Sequence, residues 1–311
     1  YILLKGRQNY ICQRRLFEAA AIQDLFEPEN QVKIREDPET GVYLENCKVN
    51  GLSGVMCETT KPEDSNIMAP SAKFRNITFD KCDFPQNINF DDVKHVVDLT
   101  WHTEAPSIIY TFELIDTVVE KCSFNSCKTR CICIMNINLA NPSTIKQCSF
   151  KKCSNKVKKS YETEDAVCKE NEAYSVYLRK TEVNMEKCKF VNSWGVYSHS
   201  QYSRANFRDC VFEKCVGYSS CEKYGILSIF NEVDEPCINI SNCEFAECKS
   251  NEADDNSGII TVSAGMPERK QSGTVIISNC KFNKCDADYN ISGTEKQDGF
   301  FGKTIVLYKE V

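Results

Sequence analysis

Short alternating runs of apolar and polar residues, broken at regular points, recur along most of the chain. In the last full copy the apolar positions are Ile277, Cys280, Phe282 and Cys285. The steps from Ile277 to Cys280 and from Phe282 to Cys285 are odd, so the alternation typical of a strand changes phase twice. Each change of phase predicts a tight bend that keeps the same face of the chain inward. Asn279 stands at the first bend, and Asn tolerates the left-handed backbone that such bends need.

The pattern repeats with the consensus apolar-x-x-Cys-x-Phe-x-x-Cys. Successive copies are about 20 to 40 residues apart, which is the range of solenoid repeats. A further apolar strand, often led by Gly, precedes most copies, as at residues 225–229 and 258–262. A polar segment of variable length then separates this strand from the Cys-x-Phe strand. Full or partial copies occupy residues 79–84, 119–127, 145–153, 185–190, 207–215, 240–248 and 277–285, and a degraded copy occupies residues 44–49.

Each unit is thus predicted to contain two or three short strands and one variable loop. We therefore predict an all-β fold, a right-handed parallel β-helix (solenoid), over residues 41–311. An array of helical hairpins is the alternative. It is disfavoured because apolar residues do not recur at three- and four-residue spacing over a dozen positions.

The N-terminal region, residues 1–40, differs from the repeats. Residues 14–26 have helical periodicity and strong helix formers, and Pro28 ends the pattern. We expect an amphipathic helix that caps the open end of the solenoid. A helix on the side of the barrel, or a link to a missing domain, remains an alternative. Since the chain begins at Tyr1, we expect either that a leader has been removed or that the chain is a piece of a longer protein, and the strand pattern at residues 304–308 supports the second alternative.

Composition narrows the classes of function only slightly. The 311 residues carry a formal net charge of -6, which argues weakly against nucleic acid as the main partner. No apolar run approaches the length of a membrane span. The three sequons at Asn76, Asn239 and Asn290 are about as many as chance provides, so they do not indicate secretion.

The 20 cysteines permit complete pairing but do not require it. Inward Cys and Phe side chains from successive units are expected to stack in ladders. We favour free, buried thiols over disulfides within a unit (Cys280 with Cys285) or between units, because stacked parallel side chains seldom offer the disulfide torsion. Cys168, Cys221 and Cys237 lie in polar segments and are better disulfide candidates. Most ladder thiols should therefore alkylate after denaturation without reductant.

No metal, cofactor or catalytic residue is assigned from the sequence. Cys131 and Cys133 are expected on one face of a strand, but no second pair completes a metal site. The three histidines, His95, His102 and His199, show no ligand spacing.

A polysaccharide-cleaving enzyme would need two carboxylates that face each other across a groove. The adjacent acids Asp91 and Asp92, with His95 nearby, and the loop residues Asp254 and Asp255 are the only paired aspartates worth testing. Adjacent acids are usually solvated loop residues, so the chain is predicted not to be an enzyme.

The Asn-Cys-x-Phe units with Gly-led strands resemble right-handed β-helix proteins of the pectate-lyase-like superfold. In style they are similar to the polymorphic membrane proteins of bacterial pathogens and to the β-helix surface proteins of trichomonads. The resemblance covers about residues 40–310 and implies the fold, since the superfold includes lyases, hydrolases, adhesins and structural proteins.

We expect a non-enzymatic scaffold or adhesin-like surface-interaction protein at the cell surface or secreted. Its partner would be a protein or glycan surface, or another copy of the chain. The alternatives are a polysaccharide lyase or hydrolase, and an intracellular structural or filament-associated protein in the cytoplasm or cytoskeleton.

Overall fold

The structure is a computed structural model. It describes residues 33–34, 42–51, 57–59, 71–82, 107–112, 116–128, 130–135, 142–153, 161–163, 166–168, 174–179, 181–200, 204–217, 226–231, 237–250, 259–264, 274–285, 289–293 and 304–307. All regular structure in these segments is β, which confirms the predicted all-β class. The capping helix predicted for residues 14–26 lies outside the described residues.

The strands are short, since most have three to six residues. In chain order they are β1 (Lys33–Ile34), β2 (Val42–Asn50), β3 (Cys57–Thr59), β4 (Ala72–Asp80), β5 (Ser107–Phe112), β6 (Thr117–Glu120), β7 (Ser123–Asn125), β8 (Arg130–Met135), β9 (Ser143–Lys146), β10 (Ser149–Lys151), β11 (Tyr161–Thr163), β12 (Ala166–Cys168), β13 (Val176–Arg179), β14 (Val183–Glu186), β15 (Lys189–Val191), β16 (Val196–Ser200), β17 (Arg204–Arg208), β18 (Val211–Glu213), β19 (Val216–Gly217), β20 (Leu227–Asn231), β21 (Cys237–Ser241), β22 (Glu244–Ala246), β23 (Lys249–Ser250), β24 (Ile260–Ala264), β25 (Thr274–Ser278), β26 (Lys281–Asn283), β27 (Tyr289–Gly293) and β28 (Thr304–Leu307).

Almost all of these strands pair in parallel, and they form three stacks that the chain visits in turn. The first stack contains the first half of β2 and of β4, then β6, β9, β14, β17, β21, β25 and β28. The second stack contains the second half of β2 and of β4, then β7, β10, β15, β18, β22 and β26. The third stack contains β3, β5, β8, β13, β16, β20, β24 and β27. The arrangement is compatible with a β-helix-like solenoid.

Single residues with left-handed backbone make the turns at both ends of the second stack. At the first corner, between the first and second stacks, Asn242 and Asn279 have φ angles of 54° and 52°. At the second corner, where the second stack ends, Lys284 has a φ of 54°. Each of these residues stands immediately before an inward cysteine, so both predicted phase changes are confirmed. The hydrogen-bond ladder continues through the turn, because the Asn242 amide donates to the Ser278 carbonyl of the next unit at 3.0 Å.

One phenylalanine from each unit of the second stack after β2 lies in the core, and Val49 takes this position in β2. The rings are stacked nearly parallel, with centroids between 4.3 Å (Phe150 to Phe190) and 5.2 Å (Phe245 to Phe282) apart. The column consists of Phe79, Phe124, Phe150, Phe190, Phe212, Phe245 and Phe282. Offset or face-to-face aromatic contacts of this kind add to the free energy gained by burial alone.

The copy predicted at residues 79–84 is in the wrong register. Phe79, not Phe84, pairs with Phe124 of the next unit, and Ile77 occupies the first-corner position that cysteine holds elsewhere. Cys82 therefore belongs to the second corner. The consensus did not identify the true unit because its first-corner residue is isoleucine. The buried isoleucine side chain fills the space that cysteine fills in other units.

Among the described residues no helix is long and apolar enough to span a membrane.

Candidate functional site

The inward cysteines form columns along the stacks. From Cys122 onward, each column thiol lies against two backbone carbonyl oxygens, one in its own unit and one in the preceding unit. Cys148, for example, is 3.4 Å from the oxygens of both Lys146 and Val119. No disulfide links the cysteines of these columns, and Cys280 and Cys285 in particular are not bridged to each other. The first-corner column is Cys47, Ile77, Cys122, Cys148, Cys188, Cys210, Cys243 and Cys280.

The second-corner column has one serine among its cysteines. The Ser193 hydroxyl accepts a hydrogen bond from the Cys153 amide at 3.0 Å and is 3.1 Å from the Phe150 carbonyl oxygen. A thiol position can thus be filled by a hydroxyl where the neighbouring backbone provides partners. The column is Cys82, Cys127, Cys153, Ser193, Cys215, Cys248 and Cys285.

Three thiols lie close together near the start of β8 in the third stack. Two of them come from the second corners of successive units, and the third comes from β8 itself. The Sγ atoms of Cys127, Cys131 and Cys153 all lie within 4.8 Å of one another. All three side chains are buried, with at most 1% of their surface exposed. This is the densest grouping of soft ligand atoms in the part of the chain that the structure describes.

The three thiols have different acidities because they hydrogen-bond to one another. Donation from Cys131 holds the pKa of the Cys127 thiol well below its ordinary value. The hydrogen bond between Cys153 and Cys127 raises the pKa of the Cys153 thiol to about 12. Burial raises the pKa of the Cys131 thiol. The contacts among the three thiols therefore set their pKa values apart.

The expectation that Cys131 and Cys133 share one strand face is wrong. Cys131 packs in the main core, whereas Cys133 belongs to a separate cluster with Met135. The cause is a local irregularity at the start of β8, where the amides of Cys131 and Ile132 both donate to the Ser175 carbonyl, at 3.0 and 3.2 Å. Two consecutive side chains, Cys131 and Ile132, consequently face inward.

The outer side of β8 is also buried, so all six of its residues are buried. The guanidinium carbon of Arg130 lies 4.3 Å from the ring centroid of Tyr177, a cation–π geometry. Tyr110 donates a hydrogen bond from its hydroxyl to the Met135 sulfur at 3.6 Å. Cys133 packs with these aromatic side chains. These side chains form a second, smaller buried cluster on the outer side of the third stack.

The outward side chains of the first stack form a ladder of ion pairs and amide hydrogen bonds. Glu186 pairs with Arg208 at 2.6 Å and with Lys146 at 3.5 Å. Asn206 donates to the Asn184 side chain of the preceding unit at 2.9 Å. The ion pairs therefore neutralise part of the charge on this face, and the paired amides satisfy each other's hydrogen-bonding groups.

The outward side of the second stack is basic, although the chain as a whole is acidic. We call the outward residues of this stack, together with the left-handed corner residues at both of its ends, the lysine face. It holds ten lysines and five acidic residues, and nine of the lysines are exposed. The lysines are Lys48, Lys81, Lys121, Lys151, Lys152, Lys187, Lys189, Lys214, Lys281 and Lys284, and the acids are Asp80, Asp209, Glu213, Glu244 and Glu247.

Sequence reasoning did not find the lysine face, because its lysines come from separate units. Lys151 and Lys189, for example, stand on the adjacent strands β10 and β15, although 38 positions separate them in the chain. The signal present in the sequence is the frequent lysine directly before an inward cysteine, as in Lys121-Cys122 and Lys187-Cys188.

The residues considered for catalysis lie outside the part of the chain that the structure describes, so what the sequence indicates about them stays a prediction. Asp91, Asp92, His95, His102, Asp254 and Asp255 lie outside the described residues, as does Cys221. His199 lies in β16, and its backbone pairs with Phe230 of β20. Cys168 lies in β12, opposite Tyr161 of β11. Cys237 is an exposed free thiol at the start of β21.

Of the sequons, Asn76 stands exposed at a first corner and donates to the Asn46 side chain at 2.6 Å. Asn239 lies partly buried in β21, and Asn290 lies in β27.

Comparisons with known proteins found no matching family model, no matching curated protein and no matching solved structure.

Proposed function

We propose that this chain is a non-enzymatic scaffold that binds an acidic glycan surface through the lysine face. The observation that carries the proposal is the concentration of exposed lysines on one stack of a chain whose net charge is -6. A charge distribution this uneven attracts a negatively charged partner to one side and repels it elsewhere.

In this proposal the three stacks are the faces of a right-handed parallel β-helix. The cyclic order of the stacks and the parallel pairing between successive units support it. Connections between parallel strands of one sheet are right-handed almost without exception, because of strand twist. The same pairing gives the lysine face a repeat of about 4.8 Å along the stack, the spacing of neighbouring strands.

A glycan with regularly placed carboxylate or sulfate groups fits such a face better than a compact protein does. The outward positions of the second stack lie on short strands of three residues, for example β10 and β15. The result is a narrow basic strip along the stack, and a narrow strip suits an extended polymer. A role of this kind implies a cell-surface or secreted location.

The proposal is tested by measuring binding to heparin and to polygalacturonate, with double-stranded DNA as a third ligand. We expect binding to both glycans that weakens as salt is raised, because exposed charge pairs are screened. The Lys151→Glu/Lys189→Glu double variant should lose at least about tenfold in affinity, since it reverses two charges on the face. The charge-matched control is Lys73→Glu/Arg204→Glu on the first stack, which should change affinity by no more than about twofold.

Three outcomes would overturn the proposal. If the wild-type protein binds neither glycan, an acidic glycan is not its partner. If both double variants lose affinity equally, the lysine face is not the binding site. Tighter binding to DNA than to either glycan at matched salt would assign the face to nucleic acid. The same samples are assayed for new reducing ends and unsaturated products, and turnover of either polysaccharide would contradict the non-enzymatic role.

A further inference from the structure

The three-thiol cluster differs from the rest of both cysteine columns in its third member. Cys127 and Cys153 are neighbours in the second-corner column and stand about one strand spacing apart, as every pair in the column does. Cys131 joins them from the start of β8, four residues after Cys127. Two column thiols can hold a metal ion only in a linear arrangement between them, whereas a third thiol from the side encloses it.

The position of Cys131 recurs in five other described units of the third stack, but with other residues. Strand register places the equivalent residue directly before the first paired inward residue of each strand, as Ile108 stands before Ile109. Among the described units only Cys131 places a thiol there. The equivalent residues are Ile108, Ser175, Gly195, Ile226 and Ile259.

The backbone at this corner fixes the direction of the Cys131 side chain. The Cys131 and Ile132 amides share the Ser175 carbonyl, which turns both side chains into the core. The other two thiols are held by their own carbonyl contacts, 3.5 Å from Cys127 Sγ to the Asn125 oxygen and 3.3 Å from Cys153 Sγ to the Phe124 oxygen. The three sulfurs are therefore placed by the strand register of two successive units.

We propose that Cys127, Cys131 and Cys153 bind one soft d10 metal ion in trigonal three-sulfur coordination, the geometry that Cu(I) adopts with thiolates. Thiolate ligands select Cu(I) and Zn(II) over harder ions. Metal–sulfur bonds of about 2.3 Å place three sulfurs about 4 Å apart around a central ion. Sulfurs within 4.8 Å of one another reach that geometry with shifts of about 1 Å or less.

Zn(II) would require a fourth ligand, and Cys82 is the nearest additional thiol along the column. Cys82 hydrogen-bonds to Cys127, but its sulfur is not within 4.8 Å of all three members of the cluster. Three sulfurs enclosed in a buried core, with no exposed fourth position, match trigonal Cu(I) better than tetrahedral Zn(II).

The test is anaerobic titration of reduced full-length chain with Cu(I) in the presence of a competing Cu(I) chelator, with Zn(II) titrated separately. We expect one equivalent of Cu(I) held against the chelator. X-ray absorption should find three sulfur neighbours at about 2.3 Å. The Cys131→Ser variant should lose this equivalent, and circular dichroism checks that it folds. Serine is tolerated at the equivalent position of the next unit, where Ser175 is buried.

Two matched controls separate the cluster from other thiols. Cys133→Ser changes the neighbouring thiol on the opposite side of β8, and Cys248→Ser removes a column thiol outside the cluster. Both should keep the tightly bound equivalent. The proposal fails if wild type holds no such equivalent, if Cys131→Ser keeps it, or if Cys248→Ser loses it equally. Four sulfur neighbours around Zn(II), lost in Cys82→Ser, would replace the trigonal site by a tetrahedral one.

Discussion

The rings of Phe150 and Phe190 stack with their centroids 4.3 Å apart and their planes 6° from parallel. Both side chains are fully buried, and they stand near the middle of the phenylalanine column. Because each ring contacts a ring in the unit before and the unit after it, the loss of one ring leaves a cavity that the flanking backbone cannot close.

Phe190→Ala is therefore expected to lower the free energy of unfolding by about 3 to 5 kcal/mol, the cost of a large buried aromatic side chain. Phe282→Ala is the matched control, because Phe282 is only partly buried. The control should cost clearly less. Urea unfolding followed by circular dichroism compares the two, and equal losses would contradict a column whose middle carries the packing energy.

Gly195 stands where backbones approach closely, since a Cβ atom there would overlap the backbone carbonyl of Ile226 in the next unit. Because that atom is backbone, it cannot move aside as a flexible side chain would. Gly195→Ala should thus destabilise the fold by about 2 kcal/mol or more, in the range of overpacked cores. Gly51→Ala is the control: its φ of 66° disfavours alanine, but no atom lies within 4 Å of the added Cβ. It should cost about 1 kcal/mol.

The order of these two effects is the decisive result. If thermal unfolding finds Gly51→Ala as damaging as Gly195→Ala, the close approach of the two units at Gly195 is not a determinant of stability. The expected midpoint is lower for Gly195→Ala, with little change in the strand content of the folded protein.

The bends were predictable from sequence because a change of phase in the alternation is a local signal. Asn242 and Asn279 marked two of them, and the structure gives both residues left-handed φ angles. The inward orientation of Cys131 was not predictable in the same way. It depends on the Ser175 carbonyl, which belongs to the next unit and is distant in sequence.

The register predicted for residues 79–84 was wrong for a related reason. Cys82 and Phe84 match the Cys-x-Phe consensus by sequence but not by position in the unit. The first corner is at Ile77, which the consensus misses because isoleucine packs there in place of cysteine. The lysine face was missed because it exists only after strands from distant units are aligned. The local geometry of each unit could therefore be predicted from the sequence. The two candidate sites could not, because they depend on how the strands of separate units are paired.

A left-handed corner residue should respond to substitution in the opposite way to a strand residue two positions later. Lys187 has a φ of 52°, whereas Lys189 is extended and exposed in β15. Lys187→Val should lower the free energy of unfolding by about 1 to 2 kcal/mol, because a β-branched side chain clashes in the left-handed region. Lys189→Val should be neutral or slightly stabilising, since valine favours strands. A larger loss at Lys189 in urea unfolding would contradict the assigned corner.

Cys47 provides a test of how burial affects stability at high pH. Burial raises the pKa of its thiol from 9.0 to about 11. The folded state therefore keeps the proton at pH values where the unfolded chain has lost it, so this contribution to stability is fully present below pH 9 and is lost as pH rises through about 11. Wild type should lose about 2 kcal/mol more than Cys47→Ala across this window. Parallel stability curves for the two proteins between pH 8 and pH 11, from urea unfolding under reducing conditions, would show that the Cys47 thiol is not buried as described.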